Sequence, residues 1–172
     1  MTSVALSASR PLGGGWTGRF AGGIILDGTL TPEAGEARTV DSGLMLGLGG
    51  DYPIGAARGS RPALDLSVAL SASWATLEDE LSNQEESYRA LDLRLGLRAT
   101  WQVSSALYPY AVSRLFGGPV NWDTKDGDLQ GSDTHHYQLG GGLAAGLGPV
   151  GVFVEYVPLG EETLSAGLSW PL

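Results

Sequence analysis

An all-β, antiparallel, up-and-down transmembrane β-barrel is the fold this sequence predicts, and three observations predict it. The first is strict two-residue alternation. From Ala63 to Leu77, Leu64, Leu66, Val68, Leu70, Ala72, Trp74 and Thr76 fall on one parity, and Ala63, Asp65, Ser67, Ala69, Ser71, Ser73 and Ala75 fall on the other. A strand sends successive side chains to opposite faces, so one face here is bulky and apolar while the other is polar or very small. The second is length: the stretch outruns the ~5–6 residues of an ordinary strand and meets the ~9–11 that a tilted membrane strand needs. The third is the spacing of connections. Brief turns near residues 11, 56, 104 and 148 alternate with mostly longer acidic loops beginning near 31, 78, 123 and 160.

Taken in order, residues 3 to 10 alternate Val4, Leu6 and Ala8 against Ala5, Ser7 and Ser9, a short candidate strand followed by a turn from Pro11 to Gly15. The next strand places Trp16, Phe20, Ile24 and Leu26 on one face and Thr17, Arg19, Ala21 and Asp27 on the other, with Ile25 as a bulky exception on the polar side. Val40 to Tyr52 sets Leu44, Leu46, Leu48 and Tyr52 against Gly43, Met45, Gly47, Gly49 and Asp51. The clearest alternation opposes Leu91, Leu93, Leu95, Leu97, Ala99, Trp101 and Val103 to Asp92, Arg94, Gly96, Arg98, Thr100 and Gln102. Leu107 to Trp122 breaks the pattern, because Val112, Arg114 and Phe116 share a parity. Arginine at mid-depth on a lipid face costs ~2–4 kcal/mol, so a β-bulge between Val112 and Leu115 is expected to return Arg114 to the interior.

Asp123 to His136 reads as the longest loop. Tyr137, Leu139, Leu143, Ala145 and Leu147 then oppose Gln138, Gly140, Gly142, Ala144 and Gly146. A turn at Gly148-Pro149 leads to Val152, Val154 and Tyr156 facing out and Gly151, Phe153 and Glu155 facing in. The chain closes on Leu164, Ala166, Leu168, Trp170 and Leu172 against Ser165, Gly167, Ser169 and Pro171. The count from Trp16 onward is eight strands, within a range of eight to ten. All of 1–172 forms one domain, with 1–15 an N-terminal segment that adds an extra or incomplete strand. Trp16, Tyr52, Trp74, Trp101, Tyr108, Trp122, Tyr137 and Trp170 lie near strand ends, where aromatic girdles sit at membrane interfaces.

Composition narrows the function classes. Nineteen acidic and ten basic side chains give a net charge of −9, which argues against a nucleic-acid partner. There is no cysteine, which removes disulfides, thiol chemistry and Cys-ligated metal. Twenty-seven glycines sit inside strand-like stretches rather than in a collagen-like repeat. The sequence lacks a run of 18 apolar residues, so a transmembrane helix is excluded. Met1-Thr2-Ser3-Val4-Ala5 lacks the charged and apolar regions of a signal peptide. An exported barrel requires one, so either the leader has been removed or the exported reading fails.

Ser165-Ala166-Gly167-Leu168-Ser169-Trp170-Pro171-Leu172 resembles the C-terminal signal by which the outer-membrane assembly machinery recognises its substrates, with Ser165, Gly167, Trp170 and Leu172 at the matching positions and Leu in place of the usual terminal Phe. Together with Pro109-Tyr110 and Val154-Glu155-Tyr156 before a loop and final strand, the chain resembles the small OmpA-like and OmpX-like, porin-like outer-membrane barrels. The resemblance implies a bacterial outer-membrane location, with lipid, lipopolysaccharide and the assembly machinery as partners and no cofactor.

Alternation places Arg19, Asp65, Asp92, Arg94, Arg98, Arg114 and Glu155 in the lumen. An eight-stranded barrel has an interior just wide enough for side chains to fill, so these charges are expected to pair as a structural network that plugs it. The rival is a narrow pore lined by Arg94, Arg98 and Arg114. The acidic loops invite divalent cations, although Asp123, Asp126 and Asp128 lack EF-hand spacing, and solvated loop charge is the plainer reading. His135 and His136, with Ser132 and Asp133 nearby, carry the only hint of a barrel-type hydrolase. An exposed histidine pair is the simpler account, and no catalytic or metal residue is assigned. The function expected is a non-enzymatic structural or surface-interaction role through the acidic loops.

Overall fold

The computed structural model describes residues 2–30, 38–78, 85–124, 127–132, 136–148, 150–160 and 162–169. Antiparallel strands make up the fold: β1 (Thr2–Gly13), β2 (Trp16–Leu30), β3 (Arg38–Gly55), β4 (Ala63–Glu78), β5 (Glu85–Thr100), β6 (Leu107–Gly117), β7 (Pro119–Thr124), β8 (Gly127–Ser132), β9 (Tyr137–Leu147), β10 (Val150–Gly160) and β11 (Thr163–Ser169). They form one strongly curled, barrel-like half-barrel sheet in the order β1-β2-β3-β4-β5-β6-β9-β10-β11, with the β7–β8 hairpin attached to β5. Tight reversals rest on residues with positive φ, as at Gly13, Gly14 and Gly15 between β1 and β2, a conformation glycine adopts without the Cβ penalty.

The strand count exceeds the expected eight by three: β1, a separate β7, and β8. The segment before Trp16 is a full strand, pairing with β2 from Thr2↔Asp27 to Gly13↔Trp16. The expected long strand from Leu107 to Trp122 is also cut into β6 and β7. Its register on β5 is continuous across the cut, with Leu93↔Gly117 on one side and Ala90↔Val120 on the other. At Gly118 the backbones approach so closely that a Cβ would stand 1.7 Å from the Leu91 carbonyl oxygen, and the following Pro119 has no N–H to give the ladder. Asp92 takes up the slack by accepting the Gly117 N–H at 3.1 Å. The expected loop from Asp123 to His136 therefore contains the end of β7 and all of β8; Asp126, Asp133 and His135 lie outside the described residues.

Nine strands on the main path run β1 and β11 in the same direction, and among the described residues the two are not paired with each other. An antiparallel sheet closes without a parallel seam only when its strand number is even.

The two faces differ as alternation predicts. Large apolar side chains stand exposed on the convex face, among them Leu48 at 62%, Leu70, Leu95, Leu115 and Leu168, while the buried hydrophobic residues are far fewer. The bulge expected between Val112 and Leu115 is absent. Pairing of β5 with β6 runs unbroken from Leu93↔Gly117 to Thr100↔Tyr110, so Tyr110, Val112, Arg114 and Phe116 all face the concavity and Leu115 faces out. Val112 and Phe116 are buried there. Glycine makes the room: a Cβ at Gly142 would come within 2.5 Å of the Tyr110 ring.

At the end carrying the longer connections, the concave face holds a small apolar core of Ile25, Val40, Ala75, Leu77 and Trp122, with Met45 and Tyr88 packed against it. A register shift between Val40 and Ser42 turns Val40 inward opposite Leu77. This core accounts for Ile25, the bulky exception on the polar parity of its strand. It also corrects the girdle expectation for Trp122, which is buried and donates its indole N–H to Glu86 Oε2 at 2.9 Å. Trp170 lies outside the described residues.

Leu77 is fully buried, so Leu77→Ala is expected to destabilise the fold by about 2–5 kcal/mol, and Ile25→Val by about 0.5–1.5 kcal/mol. Urea unfolding followed by tryptophan fluorescence measures both.

Candidate functional site: the charged concave wall

Every lumenal charge anticipated from parity lies on the concave face, and each has a partner. Asp65 and Arg98 are register partners across β4 and β5, with Arg98 Nη2 3.4 Å from Asp65 Oδ2. Arg94 turns back along its own strand and donates from Nε at 3.1 Å and Nη2 at 2.8 Å to Asp92 Oδ2. Its guanidinium also stands 5.2 Å from the centre of the Phe116 ring, within the range where a cation is attracted to an aromatic face. Arg19 pairs with Asp51 on the neighbouring strand β3.

The strongest pair reaches farther. Arg114 on β6 donates from Nη1 to Glu155 Oε1 at 2.7 Å and from Nη2 to Oε2 at 2.9 Å, a two-pronged contact with β10. On β9 between them, Arg114 is level with Gln138 and Glu155 with Gly142, so the diagonal crosses at Gly140. A Cβ there would meet the Tyr156 carbonyl oxygen at 2.4 Å and the Val157 Cα at 2.7 Å. Glu155 is 9% exposed, and a carboxylate so far out of water requires charged and hydrogen-bonded company. The other pairs keep more water, and exposed pairs contribute only about 0.2–1 kcal/mol each.

The pairs therefore run along the wall, within one strand for Asp92 and Arg94 and otherwise between neighbouring or next-neighbouring strands. They do not reach across the concavity as the expected plug would. Two participants escaped the sequence reading. Alternation turns Asp51 inward without naming its partner, which is Arg19, two residues diagonally across β2–β3. Glu86 falls in the acidic stretch that begins near residue 78 and reads as loop, yet it is 5% exposed in β5, bonded to Trp122 and 3.5 Å from Arg38 Nε. Extending the even parity of Asp92 and Arg94 back along β5 reaches Glu86, which is the signal that could have found it.

Of the C-terminal signal, Ser165 pairs with Glu155 and Gly167 with Phe153. A Cβ at Gly167 would stand 2.5 Å from the Phe153 ring, so a larger residue there would displace that ring. Trp170 and Leu172 lie outside the described residues, as do Glu33, Glu36, Asp79, Glu80 and Glu161 of the acidic loops. His136 is exposed, and its carbonyl accepts the Phe116 N–H at 3.0 Å. Among the described residues, no group of three or more His, Asp or Glu side chains is placed to hold a metal ion.

The fold and this wall define an antiparallel, barrel-like protein with a charge-paired concave face. Compared with protein-family models, curated proteins and solved structures, the chain matches none.

Arg114→Met and Glu155→Gln each leave a half-buried charge without its counter-charge, whereas the double change removes both. The double-mutant cycle is expected to return a coupling of about 0.5–3 kcal/mol, read from denaturant midpoints. Zero coupling would reduce the pair to a crystal-like surface contact.

Proposed function

We propose that this chain is a small outer-membrane β-barrel protein, without enzymatic activity, that acts structurally or as a surface-interaction module through its acidic loops in a bacterial outer membrane. Outer-membrane lipid, lipopolysaccharide and the barrel-assembly machinery are its partners in this reading. One observation carries it: the convex face is apolar across rows that run over several strands. In successive rows Leu46–Ala72–Leu91 and Leu48–Leu70–Leu93 are cross-strand neighbours on β3, β4 and β5, and Leu46, Leu48, Leu70, Leu91 and Leu93 are all exposed. Soluble monomers rarely display contiguous apolar patches beyond a few hundred Å², whereas lipid requires such a face.

The structural role is favoured over an arginine-lined pore because Arg94, Arg98 and Arg114 each carry a carboxylate partner on the same wall. Paired guanidinium groups offer a permeating anion little net field.

The test is a pair of arginine substitutions on adjacent residues of β4. Leu70→Arg places a charge on the outward apolar band, and its cost on insertion into vesicles is expected at about 2–4 kcal/mol. Ser71→Arg points inward, where Asp92 is its register partner, and is expected to insert nearly as well as the parent chain. Equal insertion of both variants would mean that the convex face does not meet lipid.

A further inference from the structure

At the long-loop end of the sheet the polarity of the two faces inverts. Lower on the wall the convex face is apolar and the concave face carries charge. Around Leu77 the concave face becomes the apolar core, and the convex face passes to Ser42, Thr76, Ser87 and Asp123. The change takes place over two neighbouring rows on β3, β4 and β5. Leu44, Trp74 and Arg89 are cross-strand partners in the lower row; Ser42, Thr76 and Ser87 are partners in the row above. These six residues line a depression of about 370 Å³ on the outer wall.

The chemistry of the two rows is complementary to one kind of molecule. Leu44 and Trp74 are exposed and continue downward into the leucine band, so they suit an acyl chain. Arg89 stands beside them in the same row, and the hydroxyls of Ser42, Thr76 and Ser87 are in the row directly above. Arg89 is 62% exposed, and its nearest carboxylate oxygen, on Asp123, stands 3.7 Å from Nη2, beyond hydrogen-bond range. Asp123 is instead held by Ser87, whose Oγ donates to Oδ2 at 2.9 Å. The Arg89 donors are therefore available to an anion, and Thr76 and Ser42 add hydroxyl donors beside them. Guanidinium recognises phosphate oxygens through paired, charge-assisted hydrogen bonds.

We infer that this depression binds the phosphate headgroup of a lipid bearing a terminal phosphomonoester, with Arg89 as its charged ligand, Thr76 and Ser42 as hydroxyl donors, and Trp74 and Leu44 against the first part of an acyl chain. The inference rests on the membrane reading above and deepens it: the row of Trp74 and Arg89 marks the level of the lipid headgroups. A free phosphate would find the same donors, yet would gain nothing from Trp74 or Leu44.

The experiment uses the full chain refolded into phosphatidylcholine vesicles, with bromine on the acyl chains of either the phosphatidylcholine or an added, equimolar phosphatidic acid. Bromine quenches tryptophan on contact, and the Trp74 share is obtained by difference from Trp74→Phe. Brominated phosphatidic acid is expected to quench Trp74 several-fold more than brominated phosphatidylcholine. Arg89→Gln is expected to weaken that preference about tenfold, the size of a lost charge-assisted contact, and Thr76→Val to weaken it less. Inorganic phosphate at equal concentration is expected to leave it unchanged.

Equal quenching by the two lipids, a preference that survives Arg89→Gln, or displacement by inorganic phosphate would each overturn the headgroup site while leaving the barrel standing. Absence of quenching by either lipid would overturn both, because Trp74 would then not lie at a membrane.

Discussion

An antiparallel ladder gives each side chain two directions and no third, and that constraint sets everything else in this molecule. Once Leu46, Leu48, Leu70 and Leu93 face one way, Gly47, Gly49, Ser71 and Asp92 must face the other. A curled sheet then makes the faces unequal. The convex side has room for bulky groups, whereas the concave side crowds as curvature increases, so the small residues belong inside. The concave charges follow from the same geometry. Each finds its counter-charge on its own strand or on one close by, as Arg94 does with Asp92, Arg98 with Asp65 and Arg114 with Glu155. Glycine at 142 is the condition for the packing of Tyr110, and glycine at 140 for the close approach of β10 at Tyr156 and Val157.

The inversion of polarity at the long-loop end is the most informative departure from simple alternation. Ile25, Val40, Leu77 and Trp122 turn a charged wall into an ordinary hydrophobic core over a few residues. On the other face Thr76, Ser87 and Asp123 replace leucine. A core of this kind is what a β-structure needs once both of its surroundings are water, and the apolar band is what it needs where one of them is lipid. In the proposed membrane setting this inversion marks a depth along the strands, and β2 to β5, the longest in the sheet, run past it. The β7–β8 hairpin extends the same wall.

Much of this was legible in the sequence because the period is two and the residues involved are strongly polar or strongly apolar. The strands from Ala63 to Glu78 and from Glu85 to Thr100 could be assigned to faces residue by residue, and the lumenal charges came with them. What could not be read were close approaches between backbones. Nothing local to Gly118 announces that Leu91 lies against it, so the break between β6 and β7 was missed. The Val112–Arg114–Phe116 parity was misjudged for a related reason: the space for those side chains comes from glycines on β9, about thirty residues away in the chain. Trp122 reads as a girdle residue at a membrane interface because of its place near a strand end; its burial depends on Glu86 and Leu77, brought to it by pairing through β5. Partners across the wall, such as Asp51 for Arg19, needed the register of β2 on β3.

The central claim is that the convex apolar face requires a lipid-like solvent. The measurement that tests it most directly is a gel-shift on heating, performed on chain refolded in detergent and, separately, in plain buffer. The account predicts a folded species whose mobility changes on boiling, obtained only with detergent. A monomer that folds and stays soluble in buffer alone would contradict it, and would mean that the exposed leucines are covered in some way other than by lipid.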